Sequence, residues 1–93
     1  MTIRSFACED TEDLFNGRTT RRTRRFPSPA AARKLDMLNA AKILSDLAAP
    51  PGNRLEPLKG DLRGCHSIRV NDQFRVVFRW DDGAHDVRIV DYH

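Results

Sequence analysis

The last third of the chain alternates apolar and polar residues with a period of two, and this pattern constrains the fold more than any other. The alternation runs through residues 67–70, 73–80 and 85–90, and such a period is typical of β-strands. The joins between these runs hold Asn71-Asp72 and Asp82-Gly83, residue types that tolerate the positive φ of tight hairpins. The sequence therefore predicts an antiparallel meander.

The middle strand of this meander has two chemically different faces. We expect one face to be buried under helices, with the aromatic and aliphatic residues Phe74, Val76, Phe78 and Trp80. The opposite face is expected to carry Gln73, Arg75, Val77 and Arg79, joined by Arg69 of the preceding strand if the hairpin register is simple. The sheet therefore has a predicted core face and a predicted arginine-bearing face.

A long helix is predicted over residues 29–47. Ser28 is suited to cap its first turn and Pro29 to occupy it, and residues 50–53 (PPGN) are expected to stop it. Apolar residues recur along it at spacings of three and four, namely Ala31, Leu35, Leu38, Ala41, Leu44 and Leu47. That spacing builds one apolar stripe for packing on a sheet or another helix.

The N-terminal part predicts two shorter elements. Residues 2–7 alternate enough to form a short strand, and residues 9–15 (EDTEDLF) predict a brief acidic helix that ends near Gly17. The fold class that follows is α+β, with a short N-terminal strand and two helices packed on one face of a mainly antiparallel sheet. The length of 93 residues favours a single domain over residues 1–93.

The positive charge is dominated by arginine. Of 16 basic residues, 13 are Arg and 3 are Lys, against 13 acidic residues. Arg is the better planar fork for phosphate, so nucleic acid is the expected anionic partner. Residues 18–25 hold the densest group, Arg18, Arg21, Arg22, Arg24 and Arg25, among threonines. We expect an exposed arm or loop there, which by charge alone is more often solvated surface than a specific site.

Several classes of protein are not expected. No stretch reaches the roughly 20 apolar residues of a membrane span and the start has no signal-peptide pattern, so the expected location is cytoplasmic, with no membrane partner. Cys8 and Cys65 are too few for a disulfide framework and lack the spacing of a zinc site. No metal or cofactor is expected, and the cysteines are interpreted as small buried residues.

Three motifs together carry a family resemblance. Residues 54–61 (RLEPLKGD), the hairpin residues 71–75 (NDQFR) and the final Asp91-Tyr92-His93 resemble HigB toxins, members of the RelE/ParE superfamily of type II toxin–antitoxin systems. The resemblance covers nearly the whole chain. It implies a RelE-like fold, a ribosome-dependent mRNA endonuclease that inhibits translation, and a HigA-like helix-turn-helix antitoxin through which the pair binds operator DNA.

The expected site follows from the chemistry of metal-free RNA cleavage. That reaction needs a base for the ribose 2′-OH, positive charge on the phosphate and an acid for the leaving oxygen. Arg75 and Lys59 are the predicted phosphate ligands, and Asp91 and His93 the predicted proton carriers. Tyr92 is expected to stack on a base or orient a phosphate. With the resemblance, the residues 18–25 become predicted contacts to ribosomal RNA.

One position departs from the family pattern. HigB toxins often carry His where this chain has Glu56, and a carboxylate brings no positive charge to a phosphate. Glu56 is therefore predicted to orient a base or Lys59, and the assignment of general base and general acid stays open between Asp91 and His93.

Other interpretations remain open at this point. A ParE-like toxin acting on gyrase shares the architecture, and a non-catalytic module that binds nucleic acid or ribosomes fits Glu56. Arg69, Arg75 and Arg79 also fit ordinary pairing with acidic residues on a solvated sheet face. His66 and His85 are interpreted as structural or solvent-facing, and the aromatic residues as core.

Overall fold

The computed structural model describes residues 2–91 and consists of two helices and one four-stranded sheet. The helices are α1 (Glu9–Phe15) and α2 (Ser28–Ala40). The strands are β1 (Glu56–Pro57), β2 (Cys65–Arg69), β3 (Phe74–Trp80) and β4 (Ala84–Asp91). The sheet order is β1-β2-β3-β4 with every pair antiparallel. The predicted α+β class, with helices against an antiparallel meander, is confirmed.

The core lies between α2 and the sheet. Ile68, Val76 and Ile89 are cross-strand neighbours on the helix-facing side, and they pack in one cluster with Leu35 and Leu38 of α2, both fully buried. Burial of these aliphatic side chains is the main force holding the helix to the sheet. Of the four residues predicted for this face, Phe74, Val76 and Phe78 are buried and Trp80 is half-buried.

The opposite face of the sheet is less polar than predicted. Val77 was expected among exposed arginines, but it is fully buried, as is Ser67 opposite it on β2. Leu58, one residue beyond β1, is also buried and lies outside the main core. The face predicted for Val77 is correct, since it pairs with Ser67 on the side of Arg69 and Arg75; its burial was not predicted, because alternation assigns a face but says nothing of what neighbouring segments cover it.

The N-terminal segment is extended but is not a continuous strand. It pairs with β4 in parallel at two separate bridges, Ile3 with Ala84 and Phe6 with Val87. Between them β4 carries a register shift relative to β3, and Asp86 has a φ of 55°. This bulge-like irregularity interrupts the ladder, which explains why the predicted strand at residues 2–7 was only partly correct.

The second helix is shorter than predicted. It ends at Ala40, Ala41 is extended, and Leu44–Leu47 form a separate 3₁₀ turn. The hydroxyl of Thr2 donates to the carbonyl of Ala41 (2.6 Å), and the Asp46 carboxylate accepts from the backbone N–H of Lys42 and of Ile43. These contacts replace helical hydrogen bonds, so tertiary context overrides propensity here.

The start of the second helix also differs from prediction. The Ser28 hydroxyl donates to the carbonyl of Phe26 (3.3 Å) and makes no cap, while Pro29 does occupy the first turn. Residues 50–53 were predicted to end this helix, but the helix ends earlier and Pro51–Asn53 form a separate 3₁₀ turn.

The two predicted hairpins use different turn chemistry. Asp82 and Gly83 have positive φ (50° and 137°), as expected. Asn71 and Asp72 do not; instead, the Asn71 side-chain oxygen accepts from the backbone N–H of Gln73 (2.9 Å) and Phe74 (2.8 Å). An Asn side chain that bonds to the backbone two residues on is a common alternative to a positive-φ turn.

Among residues 2–91, no helix is long and apolar enough to cross a membrane.

Candidate active site and arginine surface

Arg75 of β3 is the centre of the candidate active site. Its Nε donates to the Ser67 hydroxyl (2.7 Å) and its Nη2 to the carbonyl of Arg54 (2.7 Å). The Glu56 carboxylate is 3.8 Å from Nη2. Only 11% of the Arg75 side chain is exposed, so the guanidinium plane is fixed by its neighbours.

The sheet register explains why these residues meet. Arg75 pairs with Arg69 on β2, and Ser67, two residues along β2, shares their face. Glu56 of β1 pairs with Ser67 from the other side. Arg54 has a left-handed backbone (φ 45°) where the chain leaves the Pro51–Asn53 turn, and its carbonyl is an acceptor for Arg75. Three strands and one loop therefore hold a single arginine.

Glu56 contacts Arg75 rather than Lys59 among the residues described. Its side chain is 45% exposed, so water screens the pair and its contribution to stability is small. Its chemical consequence is larger, because the carboxylate offsets part of the positive charge of the proposed phosphate ligand.

Lys59 lies in the loop that joins β1 to β2. Leu58 anchors this loop by its burial and by its backbone N–H, which donates to the carbonyl of Cys65 (2.9 Å). Lys59 itself is exposed and forms no ion pair with any residue from 2 to 91. Its ammonium is therefore available to an anion from solution.

Asp91 is the last described residue of β4. It pairs with Phe74, while Val90 pairs with Arg75, so β4 ends at the part of β3 that holds Arg75. The Asp91 carboxylate accepts from Gln73 Nε2 (3.0 Å). Strand alternation places Asp91 on the side of Phe74 and Arg75 on the other. Tyr92 and His93, the other predicted site residues of the C-terminus, lie outside the described residues.

The five arginines of residues 18–25 are exposed, as predicted, but the segment is an ordered loop and not a free arm. Thr23 is buried and exchanges hydrogen bonds with Thr20, and Thr23–Arg25 form a 3₁₀ turn. Three of the arginines reach carboxylates of α1: Arg18 to Asp13 (3.1 Å), Arg22 to Glu9 (3.6 Å) and Asp10 (3.8 Å), and Arg25 to Asp10 (3.0 Å).

The sheet arginines also have acidic partners. Arg69 pairs with Asp72, and Arg79 lies 3.9 Å from the Asp81 carboxylate and 3.6 Å from that of Asp86. Ordinary pairing on a solvated face therefore accounts for Arg69 and Arg79, and the cluster around Arg75 is the most elaborate of the three.

Comparison with known proteins identifies the family. A family model described as RelE-like toxin of the type II toxin–antitoxin system HigB matches residues 4–93. The chain belongs to the HigB-like toxins. It is similar to Toxin HigB-1 of Vibrio cholerae, at 56% identity over 55 residues, which is 59% of this chain and 58% of that protein.

A second curated relative of this HigB-like chain is Toxin RelE of Mycobacterium tuberculosis, 42% identical over 48 residues, 52% of this chain and 48% of that protein. The matched regions therefore span less than two thirds of these relatives' length. Two solved structures share the fold, and each match covers the whole of this chain and 99% of the matched chain. They are a chain of the YoeB–YefM complex from Staphylococcus aureus (TM-score 0.57, 16% identity) and the YoeB/ParE toxin from Agrobacterium tumefaciens (TM-score 0.52, 18% identity).

Several residues around this HigB-like site were not predicted from the sequence. Ser67 and the Arg54 carbonyl fix Arg75, and neither carries a sequence signal beyond Ser67 falling on the same strand face as Arg69. Asn53 was interpreted as part of a helix stop, yet it is fully buried and accepts from the Lys34 ammonium (2.5 Å). That contact joins residues 19 positions apart, which no local pattern reveals.

Lys34 adds a cation near the same end of the sheet. Burial lowers the pKa of Lys34 from its usual 10.5, and the charges of Arg33 and Arg69 lower it further. The contact of Lys34 with Asn53 links α2 to the residue before Arg54, whose carbonyl accepts from Arg75. Within residues 2–91, no group of three His, Cys, Asp or Glu side chains is arranged to hold a metal ion.

Proposed function

We propose that this HigB-like chain is a toxin that cleaves mRNA on the ribosome and is neutralised by an antitoxin. The observation that carries the proposal is the guanidinium of Arg75, held by Ser67 and Arg54 in a chain whose family is that of RelE-like toxins. A positive charge fixed before the reaction stabilises the charge that develops on a phosphate without reorganising during the step.

The proposed mechanism needs no metal. Arg75 and Lys59 bind the scissile phosphate, and His93 takes the proton from the ribose 2′-OH and gives it to the leaving 5′-oxygen as the 2′-oxygen bonds to phosphorus. Asp91 is left out of the proton transfer, because strand alternation places it on the face of the sheet opposite Arg75. Tyr92 stacks on a neighbouring base. Glu56 tunes the charge of Arg75, because the two groups are 3.8 Å apart. The ribosome supplies the in-line alignment of the 2′-oxygen, which so small a site does not provide alone.

The test is mRNA cleavage on translating ribosomes, with free mRNA as a parallel substrate. We expect cleavage only on ribosomes, and a loss of about 100-fold or more in rate for Arg75→Ala and His93→Ala, the size of effect seen when one preorganised charge or proton carrier is removed. Arg79→Ala is the matched control, because Arg79 lies on the same strand but pairs with Asp81 and Asp86. Wild-type rates for both Arg75→Ala and His93→Ala would refute the proposed chemistry.

The proposed partners follow from the family. We propose a HigA-like helix-turn-helix antitoxin, with operator DNA bound through that antitoxin. The S. aureus neighbour is a chain of a YoeB–YefM complex, which illustrates the kind of assembly. Co-expression with the protein encoded by the adjacent reading frame is expected to give a stable complex and to restore translation.

A second candidate is a ribosome-binding module without nuclease activity. It is favoured by the ion pair of Arg75 with Glu56 and by the low exposure of Arg75, which reduce the charge available to a phosphate. This candidate predicts binding to ribosomes with steep salt dependence and intact mRNA. Intact mRNA with gyrase-dependent DNA breaks would instead indicate a ParE-like toxin.

A further inference from the structure

The arginine segment, residues 18–25, and helix α1 form one surface of alternating charge. Ion pairs join Arg18, Arg22 and Arg25 to the carboxylates of Glu9, Asp10 and Asp13 at 3.0–3.8 Å. A shallow open cleft of about 330 Å³ lies between the two elements and is lined by Glu9, Asp13, Thr20, Arg21 and Arg22. The segment and helix are therefore in direct contact along their length.

In the pairs that involve Asp10 and Asp13 the two partners are not equally accessible, whereas the Glu9 side chain is 74% exposed. The Asp10 and Asp13 side chains are only 16% and 14% exposed, whereas the three arginines are 56–67% exposed. The Asp10 and Asp13 carboxylates are thus fixed under the arginines, and the guanidinium groups face solvent. An anion from solution reaches the arginines directly and competes with the carboxylates beneath them.

Two arginines of the segment differ from the other three. Arg21 and Arg24 form no ion pair with any residue from 2 to 91 and are exposed. Their charge is available without breaking an intramolecular contact. An approaching polyanion therefore meets two unpaired guanidinium groups beside three that are already neutralised.

We propose that the α1 carboxylates act as internal phosphate analogues that occupy Arg18, Arg22 and Arg25 and lower the affinity of the arginine segment for an RNA backbone. The proposal rests on the proposed contact of this segment with RNA. Arg21 and Arg24 make the first phosphate contacts. As the RNA binds, the other three arginines exchange their carboxylate partners for RNA phosphates. The carboxylates limit non-specific binding, since a short run of arginines otherwise binds any phosphate chain.

RNA fits this surface better than a protein partner does. Between Arg18 and Arg25 the segment has only Arg and Thr side chains, so it offers no apolar anchor of the kind that dominates protein interfaces. Arg forks match phosphate oxygens in pairs. Charge without apolar surface is the composition expected for backbone contacts.

The test compares carboxylate variants in binding to a short labelled oligouridylate with 2′-O-methyl groups, which the proposed nuclease cannot cut. Asp10→Asn releases Arg25 and removes one of the two carboxylate partners of Arg22, whose pair with Glu9 remains, and Asp13→Asn releases Arg18. Glu12→Gln is the matched control, because it removes the same charge from the same helix, while Glu12 forms no ion pair with any described residue. Exposed ion pairs are individually weak, so we expect Asp10→Asn to bind about 2- to 5-fold more tightly than Glu12→Gln at low salt.

A second arm tests whether Asp10 acts through its arginines. In an Arg22→Gln/Arg25→Gln background, Asp10→Asn is expected to change affinity no more than Glu12→Gln does. Equal effects of Asp10→Asn, Asp13→Asn and Glu12→Gln in the native background would overturn the inference, and so would tighter binding to polyglutamate without tighter binding to RNA. Thermal melts check that each variant is folded. If Asp10→Asn does not fold, Asp13→Asn provides the same comparison with Glu12→Gln.

The same assay separates this inference from the proposed RNA contact. Arg21→Gln/Arg24→Gln is expected to weaken binding to the oligouridylate and to reduce its salt dependence. If that variant binds as the wild type does, the segment is not an RNA contact and the proposed role of residues 18–25 fails. If it weakens binding while the carboxylate variants match Glu12→Gln, only the role of α1 fails.

Discussion

At the scale of single residues, Arg75 contributes to the fold as well as to the proposed chemistry. Its side chain donates hydrogen bonds to the hydroxyl of the fully buried Ser67 and to the Arg54 carbonyl. A residue that binds substrate through an exposed side chain can be replaced with little effect on folding. Arg75 is different, because its loss leaves the buried Ser67 hydroxyl without this partner.

We predict that Arg75→Ala lowers the free energy of unfolding by about 1.5 to 3 kcal/mol, the range for a charged donor that bonds to a buried acceptor. Arg75→Lys keeps the charge but not the planar fork, so an intermediate loss is expected. Urea unfolding measures both. The control is Arg69→Ala, whose partner Asp72 is exposed. An Arg75→Ala protein as stable as Arg69→Ala would contradict the interpretation.

At the scale of elements, the exposed Asp46 carboxylate is one of the contacts that hold the break after α2. Hydrogen bonds from the backbone N–H of Lys42 and of Ile43 lower the pKa of Asp46 from its usual 3.8, and the charge of Lys42 lowers it further. A depressed carboxyl pKa means that the stabilisation is present above about 3.8 and is lost as the pH falls through the folded-state pKa.

We predict that Asp46→Ala lowers the melting temperature at pH 7 and that the difference from wild type shrinks as the pH falls below 3.8. Asp36→Ala is the control, because Asp36 is exposed on α2 and its side chain makes no hydrogen bond or ion pair with any residue from 2 to 91. Melts by circular dichroism across this pH range give the comparison. A constant difference at every pH would show that the Asp46 carboxylate does not act through its charge.

Gly83 fixes the approach of the N-terminal segment to the β3–β4 hairpin. A Cβ at this position would lie 2.8 Å from the Thr2 carbonyl oxygen and 2.7 Å from Arg4 Nε, and the backbone has a φ of 137°. We predict that Gly83→Ala destabilises the protein by about 1 to 3 kcal/mol through clash and strain. Gly52→Ala, where a Cβ meets nothing within 4 Å, is expected to change stability by at most about 0.5 kcal/mol. Equal stability of the two variants would contradict this.

The elements that the sequence predicted well are those set by local patterns. The meander and α1 follow from alternation, turn residues and acidic residues at the helix start, all within a few positions. The end of α2 was wrong because Thr2 and Ala41, whose contact competes with the helix, are 39 residues apart. The turn at Asn71 was wrong in detail because Asn supports two kinds of turn and the sequence does not choose between them.

The same distinction applies to the candidate site. Arg75 was placed on the correct strand and face by alternation, and its pairing with Glu56 brings together two predicted site residues. Ser67, Arg54 and Asn53 were not predicted, since their roles depend on how β1 and the preceding loop dock on β2. The roles proposed for Tyr92 and His93 remain predictions, because both residues lie outside the described part of the chain.

At the scale of the whole molecule, the two ends of the chain hold each other in place. Arg4 bonds to the Asp82 carbonyl, Ser5 to the backbone of Asp86, and Thr11 to the backbone of Ile89. These contacts cover β4 along its outer edge, which would otherwise present unpaired backbone groups to other chains. The edge strand next to the proposed site is therefore stabilised by the first helix and the segment before it.

Thr11 is the buried member of this set, and its hydroxyl accepts from the Ile89 backbone N–H at 3.0 Å. We predict that Thr11→Val, which keeps the shape but removes the acceptor, costs about 1 to 3 kcal/mol of stability. Thr11→Ser keeps the acceptor and loses one methyl group, so a cost near 1 kcal/mol is expected. Urea unfolding gives the two energies, and hydrogen exchange at the Ile89 amide is expected to accelerate in Thr11→Val alone. Unchanged exchange in Thr11→Val, with Thr11→Ser the less stable variant, would mean that packing and not this hydrogen bond joins the first helix to the last strand.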